Sequence, residues 1–181
     1  DVYTSPDGFS WSYAATTPSP YNDINGVWLS GRNRIISSDY TFQWISWADY
    51  PFTSWNKVLT NVNGIGNCMN YSPEQDRILA IGDPGVYYST IAYSDDGGVT
   101  WATASSPEWL GGAVGVDLYW NSDNNLWFGA GCSPSSNVLN IGTSPDGINW
   151  TYNATTGAST GGHGFIFEYL ESFGIWLESR W

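Results

Sequence analysis

The chain has little positive charge. One lysine and four arginines stand against 17 aspartate and glutamate residues, and the formal net charge is −12. Nucleic acids and anionic membranes are bound through clusters of basic side chains. The composition therefore argues against both partners. The sequence also lacks an apolar run of about 18 residues, so it predicts no membrane insertion.

Side chains for metal chemistry are also scarce. The 181 residues include two cysteines and a single histidine, His163, which is flanked by glycines. Zinc sites need several Cys or His ligands at close spacing, and the asparagine- and aspartate-rich turns do not follow the spacing of a calcium loop. We expect no metal site and no cofactor.

A short pattern of Ser, Asp, Gly and Trp recurs along the chain. Three copies run over 5–11, 94–101 and 144–150, and a degenerate copy runs over 37–44 with Thr41 in place of glycine. In such a turn the carboxylate accepts backbone N–H bonds, the glycine adopts a positive φ, and the tryptophan enters the next strand as an apolar plug. The residues expected to build these turns are Ser5, Asp7, Gly8, Trp11, Ser37, Asp39, Trp44, Ser94, Asp96, Gly98, Trp101, Ser144, Asp146, Gly147 and Trp150.

A second repeat alternates with the first. Each copy has an aromatic residue, a polar turn and an apolar run, and the copies begin at Tyr21, Tyr71, Trp120 and Tyr169, which are 50, 49 and 49 residues apart. A fixed period of this size indicates a solenoid, a propeller or an array. Both repeats have the pattern of β-hairpins, and two hairpins per period give the four strands of a propeller blade. In a propeller, tryptophans that recur in register are expected to lie buried between adjacent blades; they are Trp11, Trp28, Trp101, Trp120, Trp127, Trp150 and Trp176.

The Ser-x-Asp-x-Gly-x-x-Trp pattern resembles the Asp-box, also called the BNR or sialidase-type repeat. In that family the box is the turn between the third and fourth strands of a blade. The resemblance implies an all-β propeller of four-stranded antiparallel blades. It implies no particular activity, because Asp-box propellers include sialidases, other glycosidases and lectin-like modules.

The repeats predict a single propeller domain over 1–181. We expect a half-blade over 1–13, blades over about 14–48, 56–104 and 105–153, and a second half-blade over about 154–181. Joined, the two half-blades would close a four-bladed ring and hide their sheet edges. The alternative is that the chain forms a segment of a larger propeller.

No catalytic residue can be assigned. The sialidase pattern of three arginines, a tyrosine–glutamate pair and an acidic aspartate does not map onto Arg32, Arg34, Arg77 and Arg180. The sequence therefore favours a non-catalytic protein, and a glycoside hydrolase of sialidase-like architecture stays an alternative because carboxylates are abundant.

Candidate binding residues lie where the chain departs from its repeats, since binding loops often interrupt a regular scaffold. Exposed aromatics there would suit carbohydrate or a protein surface, and they could equally pack their loop onto its own blade. We predict a non-catalytic binding module. The alternative is a structural subunit of a fibre or coat, a homo-oligomer whose open half-blades are completed by neighbours. The candidates are Trp47, Tyr50, Phe52, Trp55, Tyr87, Tyr88 and Trp109.

Three glycosylation sequons begin at Asn70, Asn149 and Asn153. With the scarcity of lysine they favour a secreted, extracellular protein, and Asn153 is expected to be the most accessible of the three. A disulfide between Cys68 and Cys132 is possible but not favoured, because the repeat places them about 10 Å apart along the strand direction.

Overall fold

A computed structural model describes residues 2–16, 23–39, 44–60, 68–82, 90–105, 114–133, 138–155, 165–170 and 175–180. Within these ranges the chain forms only β-strands, turns and irregular segments. No helix in this part of the chain could cross a membrane.

The strands form five antiparallel sheets that follow one another along the chain. Two sheets have two strands and three have four, and each strand pairs with its neighbours in sequence. We call the four-stranded sheets I, II and III. The first two-stranded sheet is β1 (Val2–Thr4) and β2 (Ser12–Ala15); sheet I is β3 (Asp23–Leu29), β4 (Arg34–Asp39), β5 (Trp44–Asp49) and β6 (Asn56–Leu59); sheet II is β7 (Cys68–Ser72), β8 (Arg77–Gly82), β9 (Thr90–Ser94) and β10 (Ala102–Thr103); sheet III is β11 (Val114–Asn121), β12 (Leu126–Ser133), β13 (Val138–Ser144) and β14 (Thr151–Thr155); the last sheet is β15 (Phe165–Leu170) and β16 (Ile175–Arg180).

The predicted all-β fold of four-stranded antiparallel sheets is confirmed. The pairing β1–β2 and the pairing β15–β16 make two separate sheets, so strand pairing does not join them into one blade within this chain. The arrangement is that of a partial propeller rather than a ring closed through its own half-blades.

The first hairpin of each repeat has one register. An aromatic residue occupies the last but one position of the inner strand and faces a partner across the hairpin, as Tyr71 faces Ile78 and Trp120 faces Trp127. Tyr169 faces Trp176 in the same register, so β15 and β16 correspond to the first two strands of a complete sheet. In sheet I the equivalent residue is Trp28, which faces Ile35.

This register corrects the sequence assignment of the first repeat. Tyr21 was expected to be the aromatic residue of the first unit, but Trp28 takes that position, and Tyr21 lies outside the described residues. The first step of the repeat is therefore shorter than the other two. Strand β3 continues through Trp28 because Leu29 and Ile36 pack into the core, and this burial outweighs the weak turn signal of residues 22–26.

The degenerate copy over 37–44 was misplaced for the same reason. Ser37 and Asp39 lie in β4 and Trp44 begins β5, so this segment joins the second and third strands, not the third and fourth. The turn between β5 and β6 covers 50–55 and ends at Trp55. Sheet I also extends to Leu59, beyond the blade end expected near 48, and takes as its fourth strand a segment that the repeat had assigned to the next blade.

Two hydrophobic clusters hold the sheets together. The first combines Leu29, Ile36 and Ile45 of sheet I with Met69, Tyr71 and Ile78 of sheet II. The second combines residues of sheet II with those of sheet III, including Leu79, Ile81, Leu118 and Trp127. Because the core lies between the sheets and not inside any of them, each sheet depends on its neighbours for stability.

Candidate binding surface

The Ser–Asp–Gly–Trp turns at 5–11, 94–101 and 144–150 share one hydrogen-bond pattern. In the last of them, Oδ1 of Asp146 accepts bonds from the backbone N–H groups of Ile148 and Asn149 at 2.9 and 2.8 Å. The indole Nε1 of Trp150 donates to the carbonyl oxygen of Gly147 at 2.9 Å. Asp7 and Asp96 make the corresponding bonds in the other two turns. These bonds occupy the carboxylates within the turns.

The same bonds shift the pKa values of the aspartates. For Asp146 partial burial raises the pKa, but the bonds donated by Asn149 and Ile148 outweigh it and hold the pKa well below its usual range. The pKa of Asp96 is lowered in the same way, against partial burial, chiefly by bonds from Thr100. The N–H groups of Ser10 and Phe9 lower the pKa of Asp7 to about 2.

We expect stability to fall in acid because of these turns. A carboxylate whose folded pKa lies below its unfolded value of about 3.9 stabilises the fold fully above that pH and loses the effect as pH drops through the folded pKa. Urea unfolding between about pH 7 and about pH 2 should show this loss, which begins as the pH falls below about 4. Asp146→Asn should flatten the pH dependence, whereas an unchanged slope in that variant would contradict the role of the turn carboxylate.

The glycines of these turns make the contact between sheets. A Cβ atom on Gly98 would lie 2.5 Å from Cδ1 of Ile36, and one on Gly147 would lie 2.9 Å from Cδ1 of Leu79. Ile36 and Leu79 occupy equivalent positions in the second strand of the preceding sheet. The glycine thus lets the turn of one sheet close onto the strand of the sheet before it. Gly8, with the same positive φ, has no atom within 4 Å of its Cβ position.

Two equivalent arginines reinforce the contact. Arg34 and Arg77 each begin the second strand of a sheet, and each binds the acid of its own outer turn through Nε and Nη2: Arg34 binds Asp49 at 2.7 and 3.0 Å, and Arg77 binds Asp95 at 2.5 and 2.8 Å. The remaining Nη1 of each donates to a backbone carbonyl in the next sheet's turn, that of Gly97 at 2.9 Å for Arg34 and that of Asp146 for Arg77. Each guanidinium therefore links two sheets.

The turn between the first and second strands adds a further link. Arg32 donates to the backbone carbonyl of Asp95 at 3.2 Å, and Gln75, at the equivalent position of sheet II, donates to that of Pro145 at 2.7 Å. Arg32 also forms a bidentate ion pair with Asp76 of sheet II. The contact between sheets is thus repeated closely from I/II to II/III.

The inner-strand aromatic residues complete this interface. Tyr71 is 8% and Trp120 is 7% exposed. The hydroxyl of Tyr71 lies 2.9 Å from the Cβ position of Gly31 in the preceding sheet's turn, and Nε1 of Trp120 donates to Glu74 of the preceding turn at 2.7 Å. Trp28 holds the same position in sheet I but is 46% exposed.

Trp28 belongs to an exposed aromatic corner that we define as Trp28, Tyr50 and Phe52. The ring of Phe52 lies 6.0 Å from that of Trp28 and 5.6 Å from that of Tyr50, and both pairs are edge-to-face. Tyr50 is 72% exposed. Phe52 has φ 66°, so it takes the left-handed conformation that Gly8, Gly98 and Gly147 take in the other turns. The corner therefore occupies the face of sheet I that corresponds to the buried faces of sheets II and III.

The other predicted binding residues are placed differently. The guanidinium of Arg34 lies over the ring of Trp47, with Cζ of Arg34 3.7 Å from the ring centroid. Trp47 also packs against the first core cluster. Trp55 is half-buried, and its Nε1 is buried without a hydrogen-bond partner among the described residues. Trp47 therefore lies within β5 and contributes to the packing of sheet I, and Trp55 ends the turn before β6. Tyr87, Tyr88 and Trp109 lie outside the described residues.

Trp28 was not among the predicted binding candidates, because tryptophans that recur in register were expected to lie buried between blades. The same expectation holds for Trp127, which is fully buried, and fails for Trp11, which is 63% exposed. One sequence signal could have identified the position of Trp28 in the repeat. The four-residue turn before Arg34 matches the four-residue turn before Arg77. A tryptophan at a repeated position is buried only where a neighbouring sheet covers it.

The thiol of Cys68 is free and donates to the carboxylate of Asp117 at 3.1 Å. Burial, followed by the nearby charge of Asp117, raises the pKa of this thiol far above its ordinary value. The side chain of Cys132 lies outside the described residues. A protonated, buried thiol of this kind serves packing rather than nucleophilic chemistry.

The three sequons differ in accessibility. Nδ2 of Asn70 donates to the carbonyl of Leu118 between two sheets, and Nδ2 of Asn149 donates to Asp146 within its turn. Asn153 is exposed and accepts a bond from Thr143 with its carbonyl oxygen. Glycosylation would place a sugar on an Nδ2 that donates a structural hydrogen bond in Asn70 and Asn149, whereas the bond of Asn153 uses its carbonyl oxygen. In the described part of the chain no group of three or more His, Cys, Asp or Glu side chains could hold a metal ion.

No protein-family model matches the chain, and no curated protein matches it. Solved structures do. YCF48 bound to D1 peptide has a TM-score of 0.59 at 20% identity, over 80% of this chain and 43% of that one. A putative 6-phosphogluconolactonase from Bacteroides uniformis has a TM-score of 0.55 at 12% identity, over 97% and 57%. A fructofuranosidase from Schwanniomyces occidentalis complexed with fructose has a TM-score of 0.52 at 14% identity, over 90% and 41%.

These neighbours are β-propeller proteins, and they support the propeller fold for this chain. The chain spans between 41% and 57% of their lengths. At such low identities the likeness shows the fold alone.

Proposed function

We propose that this chain is a non-catalytic binding module of the Asp-box propeller type and that it binds a protein surface through its aromatic corner. The observation that carries the proposal is the exposure of the corner, in which Tyr50 is 72% and Trp28 46% accessible. Tyrosine and tryptophan are favoured anchors at protein interfaces because they bury a large apolar area with few rotatable bonds. A cluster of such rings on a soluble domain marks an interaction site.

The shape of the corner favours a protein partner over a sugar. The rings of Tyr50 and Trp28 stand at 87° and 80° to that of Phe52. Rings at right angles do not share one flat platform on which a sugar ring could stack, whereas an apolar side chain can contact them from several directions. The structural neighbour that holds a bound peptide offers a precedent for peptide binding on a propeller scaffold.

Five aspartates of the described residues are engaged in structural bonds, which supports a role without catalysis. Asp7, Asp96 and Asp146 accept backbone bonds in their turns, and Asp49 and Asp95 are paired with arginines. A glycosidase needs two carboxyl groups free to face a scissile bond. We also place the protein outside the cell, a proposal supported by the three sequons and by the exposed side chain of Asn153.

A parallel selection tests the function. A random peptide library displayed on phage is panned against the wild-type protein and against the double variant Tyr50→Ser/Phe52→Gly, and both proteins are applied to a glycan array. We expect peptides that the wild type retains and the double variant loses, with binding weakened about tenfold or more, because anchor residues carry most of an interface's affinity.

The double variant should remain folded, which makes it a fair control. The left-handed φ of Phe52 costs about 1 kcal/mol, and glycine relieves it while removing ring contacts of similar value. Equal retention of peptides by both proteins would contradict the proposal. Glycans that are bound by the wild type and lost by the variant would assign the corner to carbohydrate instead.

A further inference from the structure

We infer that Asn153 carries an N-linked glycan and that this glycan shields the open outer edge of sheet III. The inference rests on the extracellular location proposed above, because secreted proteins are the ones that receive such glycans. Two kinds of observation support it: the outer edges of the three four-stranded sheets, and the geometry of Asn153 itself.

The outer edges of the sheets are protected unequally. Within the described residues each fourth strand pairs on one side only, and an open strand edge invites pairing with other chains. Blades of a propeller pack through their faces, so this edge stays open whichever sheets stand beside it. Very short strands and lysine side chains protect such edges. In sheet II the fourth strand has only the two residues Ala102–Thr103, and in sheet I it carries Lys57, the single lysine of the chain.

The fourth strand of sheet III has neither protection. Strand β14 is five residues long and contains no charged residue and no proline. Three of its five residues are threonine or tyrosine, which favour strands. The sequon Asn153-Ala154-Thr155 lies within this strand. A glycan there would supply the bulk and the hydration that prevent edge-to-edge pairing.

The backbone at Asn153 departs from the regular ladder. Consecutive residues of β13 pair with Tyr152 and with Ala154, so Asn153 is the extra residue of a β-bulge. Bulges are common at sheet edges, where they redirect a side chain. The side chain of Asn153 is exposed, and its carbonyl oxygen accepts a bond from the Thr143 hydroxyl at 2.9 Å. The amide nitrogen, to which a glycan attaches, takes no part in that bond.

The modification changes one atom of the strand. Nδ2 of Asn153 forms a bond to C1 of an oligosaccharide, and the bond between C1 and the diphosphate of a lipid carrier breaks. The lipid diphosphate leaves, and the displaced Nδ2 proton passes to solvent. The carbonyl oxygen keeps its bond from Thr143, so the bulge is compatible with the modified side chain.

The equivalent residue of sheet II shows what the glycan requires. Ala104 follows Trp101 by three residues, as Asn153 follows Trp150, and Ala104 is 2% exposed in the cluster between sheets II and III. A glycosylated asparagine cannot be buried in that way. Any sheet beside the far face of sheet III therefore leaves Asn153 uncovered, whichever chain supplies that sheet.

Secretion from a eukaryotic host tests the site. The chain is expressed behind a secretion signal, and peptide mapping by mass spectrometry should find a glycan on Asn153. Asn153→Gln and Thr155→Ala both remove the sequon and should abolish the modification at this position. Thr155→Ser keeps the sequon and is the matched control. A folded, secreted wild-type chain that is unmodified at Asn153 would overturn the inference.

The shielding role is tested by aggregation. Light scattering should show that the Thr155→Ala protein, which lacks the glycan, aggregates several times faster than the Thr155→Ser protein. Tyr152→Lys in the Thr155→Ala background should restore the slower rate, because a lysine at the exposed Tyr152 position gives β14 the protection that Lys57 gives sheet I. Equal rates with and without the glycan would refute the shielding.

This inference and the proposed binding function fail separately. The host imposes secretion, so an unmodified Asn153 counts against the glycan and not against peptide binding. Peptide panning on the Tyr50→Ser/Phe52→Gly variant decides the function of the aromatic corner, and it gives the same answer with or without a glycan on β14.

Discussion

Replacing Gly147 with alanine is expected to lower the free energy of unfolding by about 3 kcal/mol. Gly147 has φ 70°, a conformation that costs a residue with a Cβ atom about 1 kcal/mol. The added methyl group would also lie 2.9 Å from Cδ1 and Cδ2 of Leu79, which is fully buried. Overpacking of this kind adds about 2 kcal/mol. Urea unfolding followed by tryptophan fluorescence measures the sum.

Gly8→Ala separates the two contributions. Gly8 has φ 77° in the same turn, but its Cβ position is open. This variant should lose only the conformational part, about 1 kcal/mol. Leu79→Ala should cost less in the Gly147→Ala background than in the wild type, because truncation of Leu79 removes the clash. Equal losses at the two glycines would show that backbone strain alone matters and that the turn does not hold the sheets together.

The repeated units gave a sound prediction of the fold. The Ser, Asp, Gly and Trp of 94–101 and 144–150 determine their turns through local bonds, and local bonds can be read from a short stretch of sequence. The same is true of the four-residue turns before Arg77 and Leu126. Strand number and the antiparallel order follow from these turns.

Sheet I shows where local patterns fail. Its outer turn has Tyr50 and Phe52 where sheet III has Asp146 and Gly147, so no local signal marks it. The segment 37–44 matches the Ser–Asp–Gly–Trp motif more closely than this outer turn does, yet Ser37 and Ser38 are buried in β4. Burial of Ile36 and Ile45 between sheets decides the register, and that is a contact between distant parts of the chain.

The aromatic corner could be predicted only in part for a related reason. Tyr50 and Phe52 were found because they interrupt the repeat, whereas Trp28 follows the repeat and was expected to be buried. Whether a repeated residue is core or surface depends on the presence of a neighbouring sheet, and its own sequence context does not contain that information. The exposed Trp11 and the fully buried Trp127 illustrate the same dependence.

Arg77→Met is expected to destabilise the protein by about 2 kcal/mol. The Arg77 side chain is 17% exposed, and it holds both carboxylate oxygens of Asp95 while its Nη1 reaches the backbone carbonyl of Asp146 in the next sheet. Methionine preserves most of the apolar stem but leaves that partly buried carbonyl without its donor, and a lost bond of this kind costs about 1 to 3 kcal/mol. Thermal and urea unfolding both measure the loss.

Asp95→Asn distinguishes two contributions of Arg77 to stability: the bond to the next sheet and the ion pair within sheet II. The Asp95 side chain is 52% exposed, and exposed ion pairs contribute at most about 1 kcal/mol because water and salt screen them. We therefore expect Asp95→Asn to cost well under half of what Arg77→Met costs, and Arg77→Lys to fall between them, since lysine keeps the charge but cannot bind Asp95 and Asp146 at once. A loss in Asp95→Asn as large as that in Arg77→Met would contradict this account. The arginine would then act inside sheet II, and the cohesion of sheets II and III would depend on their other contacts, those of Gly147 with Leu79 and of Gln75 with Pro145.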